Sequence, residues 1–169
     1  ANNNAFGKDT MADNTTGSSN TAIGHNALTA NTTADNNTAV GYNSLLANTT
    51  GTRNVALGAE AAEATTTGGD NVAIGYQALE DNTTGAANIA IGSYTLDANT
   101  TAAYNTAVGY NSMGANTTGA DNVAIGRESL LANTTASGNT AVGSLALTAN
   151  TTGANNVAVG GNALDANTT

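Results

Sequence analysis

The chain contains no cysteine, no proline and no tryptophan, and only 9% of its residues are charged. Without cysteine there are neither disulfides nor thiolate metal sites. Lysine and arginine together number three against twelve acidic residues, giving a net charge of −9. That balance argues against nucleic acid as a partner, because phosphate backbones select basic surfaces. No apolar run approaches the roughly 20 residues that a membrane-spanning helix needs. A single histidine, His25, leaves no material for a repeated Ser/His/Asp constellation. It follows its glycine in a slot that holds Tyr42, Ser93 or Gly161 in other copies, which reads as a solvated surface position rather than a ligand or catalyst. The glycines are not followed by Lys-Ser/Thr, so they form no phosphate loop. Catalysis and cofactor binding are not expected.

What the chain does have is repetition. A short apolar run closed by glycine recurs at Gly7, Gly24, Gly41, Gly58, Gly75, Gly92, Gly109, Gly126, Gly143 and Gly160, always 17 residues apart. Asparagine stands four places before each glycine, from Asn3 to Asn156, and alanine two places before, from Ala5 to Ala158. The residue just before the glycine is always bulky and apolar, as in Phe6, Ile23, Leu57 and Val108. Four places after it comes Leu or Met, except for Ala62. An Asn-Thr-Thr triplet follows, replaced once by Thr65-Thr66-Thr67. Low-complexity composition of this kind also suits disorder. The strict register of the apolar positions argues instead for stacked coils that share a continuous core.

Seventeen residues are too few for two helices and their turns. A run such as Asn37–Gly41 is too short and too β-branched to start a helix and fits one short strand. Residues 1–169 are therefore read as one all-β domain, a parallel β-solenoid of ten 17-residue coils. Alternate side chains on a strand face opposite ways. Bulky pairs such as Val72 and Ile74 are assigned to the interior, and glycine turns the chain. A second short extended stretch is expected to bring Leu79 and its equivalents back inside, and Asn-Thr-Thr-Gly to make the next corner. Asparagines in register should form amide ladders.

On this assignment Ala22, Ala39, Ala56, Ala73, Ala90, Ala107, Ala124, Ala141 and Ala158 point outward. Two readings stand: tight packing on a corner of the same coil, or contact with another chain, since uniform small apolar surface marks contact. The triplets match the Asn-x-Thr acceptor pattern at Asn14, Asn31, Asn48, Asn82, Asn99, Asn116, Asn133, Asn150 and Asn167. Those asparagines are candidate glycan attachment points, and the competing reading is a corner that needs side-chain hydrogen bonds to the backbone. Glu63, Glu80 and Asp97 should stack in one file that a hard cation could bridge, against the reading of a solvated anionic stripe. The tyrosines offer stacking faces for sugars, or are ordinary half-exposed aromatics. Adjacent threonines such as Thr32 and Thr33 would point oppositely on a strand, which disfavours an ice-matching surface.

The units Asn71–Gly75, Asn122–Gly126 and Asn37–Leu45 resemble the head repeats of YadA-like trimeric autotransporter adhesins, and repeats of long tail fibres. The resemblance covers the whole chain through the Asn, Ala, apolar and Gly positions, and this period is longer than that of the adhesin heads. It implies a left-handed parallel roll, a homotrimer or other parallel homo-oligomer, and a fibre at the cell surface, outside the cell or on a virion. A stiff spacer is the leading expectation. A head or tail fibre that binds surface glycans is the alternative, and an ice-binding surface comes behind both. With no capping segment visible, the stretch is expected to continue end to end in a longer array.

Overall fold

The computed structural model describes residues 2–169 and is all-β. Ten strands of three residues each form one sheet: β1 (Asn4–Phe6), β2 (Thr21–Ile23), β3 (Thr38–Val40), β4 (Val55–Leu57), β5 (Val72–Ile74), β6 (Ile89–Ile91), β7 (Thr106–Val108), β8 (Val123–Ile125), β9 (Thr140–Val142) and β10 (Val157–Val159). Each strand pairs in parallel with the next, in chain order, and every residue is matched to its equivalent 17 places on, as Ala73 is to Ala56 and Ala90. The chain is thus a β-solenoid with one coil per repeat.

The strand faces are the reverse of the sequence assignment. Ala73 and its equivalents point inward, and those from Ala22 to Ala141 have no solvent exposure at all. The bulky neighbours point out: Ile91 is 37% exposed and Leu57 46%. The reason is the thinness of the coil. Its interior already holds the Leu79 file, the Ala78 file and two files of asparagine, all fully buried in the central coils. A strand that contributes one inward residue to so narrow a core has room only for a methyl group. The smallest side chain therefore marks the inside.

Among the described residues no second strand forms in any coil. After the glycine the chain runs through consecutive turns, yet Leu79 and its equivalents do face the core as expected. Two residues of this tract are left-handed in every coil, for example Gln77 (φ 53°) and Leu79 (φ 58°). A left-handed leucine costs roughly 1–2 kcal/mol. The conformation is offset by where it aims the peptide groups. The Gln77 N–H donates to Ala59 O in the preceding coil (3.1 Å), and the Leu79 N–H donates to Thr95 O in the following one (2.9 Å). The backbone thus hydrogen-bonds along the rod even where no strand exists, which satisfies groups that burial would otherwise orphan.

The glycine that ends each strand is required. Gly75 has φ +135°, outside the range of ordinary side chains, and a Cβ there would stand 2.6 Å from the Gly92 carbonyl carbon and oxygen. Glycine stacks on glycine down the rod.

Two asparagine ladders bind the coils together. In the first, the backbone N–H of Asn37 donates to Asn20 Oδ1 in the preceding coil (2.9 Å), and Asn37 Nδ2 donates to Gly51 O at the corner of the following coil (2.9 Å). In the second, Asn116 Nδ2 donates to Asn99 Oδ1 (3.1 Å) and to Gly119 O (3.0 Å). The first ladder ties each coil to the coils on either side, and the second adds a bond within its own corner, as a low-dielectric interior requires.

Candidate functional surfaces

The second ladder is built from the Asn-Thr-Thr corner, so it decides the glycan candidates. Asn31, Asn48, Asn82, Asn99, Asn116, Asn133 and Asn150 have no exposed surface. Their amide nitrogens, the atoms an N-linked sugar would need, donate to the preceding coil and to the corner carbonyl; Asn133 Nδ2, for one, donates to Asn116 Oδ1 at 2.9 Å. Asn14 and Asn167, in the first and last coils, are half-buried and also donate, to Gly17 O and Thr169 O. In the folded coil these nine positions are ladder residues rather than sugar anchors. The first threonine of the corner is also engaged: Thr83 Oγ1 donates to Thr100 O (3.1 Å). The second, such as Thr33 or Thr84, is exposed.

The alanines from Ala22 to Ala158 are equally unavailable to another chain, since Ala158 is the most exposed of them at 3%. What the sheet offers outward is the opposite set. Thr21 with Ile23, Val55 with Leu57, Val72 with Ile74 and Ile89 with Ile91 make two parallel files on a ten-stranded face. No charged residue occurs at either outward strand position in any coil. β-Branched side chains dominate there, and their restricted χ1 makes the face rigid.

The charged residues lie on the flanks. Arg53 Nε and Nη2 donate to the two carboxylate oxygens of Asp70, one coil on, at 2.6 and 2.8 Å. The pair holds the Asp70 carboxyl below its usual range and raises the Arg53 guanidinium. Lys8 lies 3.5 Å from Asp9, and Arg127 contacts Glu128. His25 sits 3.8 Å from the same Asp9, on the surface beside Tyr42. All these pairs are solvated and contribute little.

The expected acidic file is only partly assembled. Among the described residues, carboxylate oxygens of Glu60, Glu63 and Glu80 lie within 4.8 Å of one another. Glu60 belongs to a different slot of the repeat, so counting along one file misses it. Burial first, then repulsion from Glu60, pushes the Glu63 carboxyl up. Burial likewise raises Glu80, helped by Asp81, Glu60, Glu63 and Asp97. Asp97 is raised by burial against the pull of backbone N–H groups. Amides partly relieve the crowding: Gln77 Nε2 donates to Glu60 Oε2 (2.9 Å) and Glu80 Oε1 (3.1 Å), and Asn43 Nδ2 to Glu63 Oε1 (3.4 Å). A hard cation would find three oxygens here, on an open surface.

Beside the acids, Tyr76, Tyr94 and Tyr110 come together, with ring centroids 5.4 and 5.9 Å apart. Partial burial and the neighbouring Glu60 carboxylate push the Tyr76 phenol up. No enclosed pocket exists anywhere among the described residues. No family model, no curated protein and no solved structure matches this chain.

Proposed function

We propose that the chain is a stiff segment of an extracellular or virion fibre, and that copies of it associate in parallel through the outer face of the sheet. The observation that carries this reading is the uncharged face running the length of the rod, with one file bulky and apolar in every coil and the other made of threonine, valine or isoleucine from β2 on. Ten strands at about 4.8 Å, each roughly 10 Å long, give a footprint of about 480 Å². That is already comparable with the largest apolar patch on an ordinary monomer. Two such faces in contact bury roughly 1,000 Å², the lower bound of a specific interface, and each further coil adds to it. A homotrimer is the state that the resemblance to adhesin heads implies.

The mechanism is mechanical. Bending or stretching the rod opens coil-to-coil hydrogen bonds on the sheet, the turns and the two amide ladders together. The flank positions carry most of the variation from copy to copy and tune the surface.

Sedimentation velocity of the chain, alone and with Val72→Lys and Ile89→Lys combined, tests the reading. The parent should sediment as an oligomer and the variant as a monomer with an unchanged β spectrum. A monomeric parent at all concentrations would rule out association through this face.

A further inference from the structure

The tyrosine strip departs from the repeat at its middle member, Tyr94. Tyr76 and Tyr110 directly follow their glycines, whereas Tyr94 stands one place later in the coil between them. Its ring meets both neighbours nearly edge-on, at 89° and 82°. Tyr94 occupies a left-handed slot, φ 58°, that holds Asn26, Asn43 and Asn111 in other coils. Asparagine suits that conformation and a bulky aromatic does not. The cost of placing a ring there is set against contact with two other rings, both of which keep a large exposed surface: 42% for Tyr76 and 52% for Tyr110.

The edges of the strip are polar and fixed by the coil. On one side lies the copy that departs most from the others, where Glu60 and Glu80 accept from Gln77. On the other, Gly114 alone of its file lacks a side chain, and Asn111 closes over it; a Cβ there would also lie 3.3 Å from Asp97 Oδ1. Aromatic faces, flanked by amides and carboxylates on a rigid and open surface, match the two sides of a sugar. The C–H face of a pyranose packs on a ring, and its hydroxyls donate to carboxylates and accept from amides.

We infer that Tyr76, Tyr94 and Tyr110, edged by Gln77 and Asn111, bind an extended, uncharged polysaccharide lying along the rod. The chain-like ligand follows from the linear strip and the lack of a cavity, since enclosed small molecules need concave sites. Acidic glycans are disfavoured by the carboxylates on both edges. A basic peptide could use the ring faces by cation–π contact, and hexalysine in the titration below separates that reading from a sugar. The strip lies beyond the glycine file, off the apolar face, so the inference stands apart from the fibre reading.

With no tryptophan in the chain, tyrosine dominates the fluorescence. Titration of the full chain with cellohexaose and with chitohexaose, followed by fluorescence and by saturation transfer to the sugar, is the test. At least one should bind with a dissociation constant below about 1 mM. Tyr94→Asn, which introduces the residue that Asn111 supplies one coil on, should weaken binding at least tenfold while leaving the melting temperature unchanged or higher. Tyr104→Ala, remote from the strip, should leave binding intact. Failure of both hexasaccharides to bind, equal binding by Tyr94→Asn, equal affinity for polygalacturonate, or binding of hexalysine alone would each overturn it.

Discussion

The buried Oδ1 of Asn48 has no hydrogen-bond partner, because one coil on the ladder holds Thr65 where every other complete copy has asparagine. Elsewhere the next asparagine fills that role, as Asn48 Nδ2 itself does for Asn31 Oδ1 at 3.1 Å. Asn82 Nδ2, which donates to Gly85 O at 3.1 Å, finds in the preceding coil only the Thr65 hydroxyl, at 3.4 Å. Thr65→Asn should complete the ladder and stabilise the chain by about 1–3 kcal/mol, the cost of an orphaned buried polar group. Urea unfolding of the two proteins measures it, as a higher midpoint at unchanged slope.

The stacked glycines set a second expectation. Gly75→Ala puts a methyl group against the Gly92 carbonyl at a φ that alanine avoids. Alanine for glycine where φ is positive normally costs about 1 kcal/mol or more, and the clash adds to it. Thermal unfolding should show a loss well beyond that of Ser93→Ala, a flank substitution at the next coil's turn.

The crowded carboxylates give the chain a pH dependence of definite sign. Glu63 and Glu80 titrate above their ordinary value of 4.5 in the folded state. The folded chain therefore binds more protons than the unfolded one in the window just above 4.5, and stability rises as pH falls through it. At neutral pH the penalty is fully present. Asp70 works the other way, since its carboxyl is held below its ordinary value of 3.8 and its contribution is lost only in stronger acid. Melting temperature should rise from pH 7 to about pH 4.5, and Glu80→Gln should flatten that rise while raising stability at pH 7.

Much of this fold is legible in the sequence. The 17-residue period gives the coil, the Leu79 file gives one inward position, and the repeated asparagines give the ladders. Two features are not. Ala73 and Ile74 exchange faces relative to the usual rule that large apolar side chains are inside. The rule fails because it presumes a core wide enough to receive them, and here a single inward residue per strand meets an interior already filled by Leu79 and two asparagines. The signal available was the alanine itself: one small residue type in all ten copies suits a space of fixed size better than a surface. The second strand is absent because Gln77 and Leu79 are left-handed, a conformation that leucine's own preference gives no hint of. Of the candidate sites, the corner asparagines leave two readings open in the sequence for a related reason. A motif defined by Asn and Thr serves a buried ladder as well as an exposed acceptor, and burial separates the two. The tyrosine strip was legible only as separate tyrosines, because Tyr94 sits in a different slot from Tyr76 and Tyr110.

Which face of the strand is inside is the central claim, and the β7 strand tests it most directly by paired substitution. Ala107→Ile forces a bulky side chain into the thin core and should destabilise by at least about 1–3 kcal/mol. Val108→Ala removes surface that faces outward and should leave the unfolding of the dilute, dissociated chain within about 0.5 kcal/mol of the parent, while weakening association. An Ala107→Ile chain that melts with the parent, beside a Val108→Ala chain that loses several kcal/mol, would contradict the account.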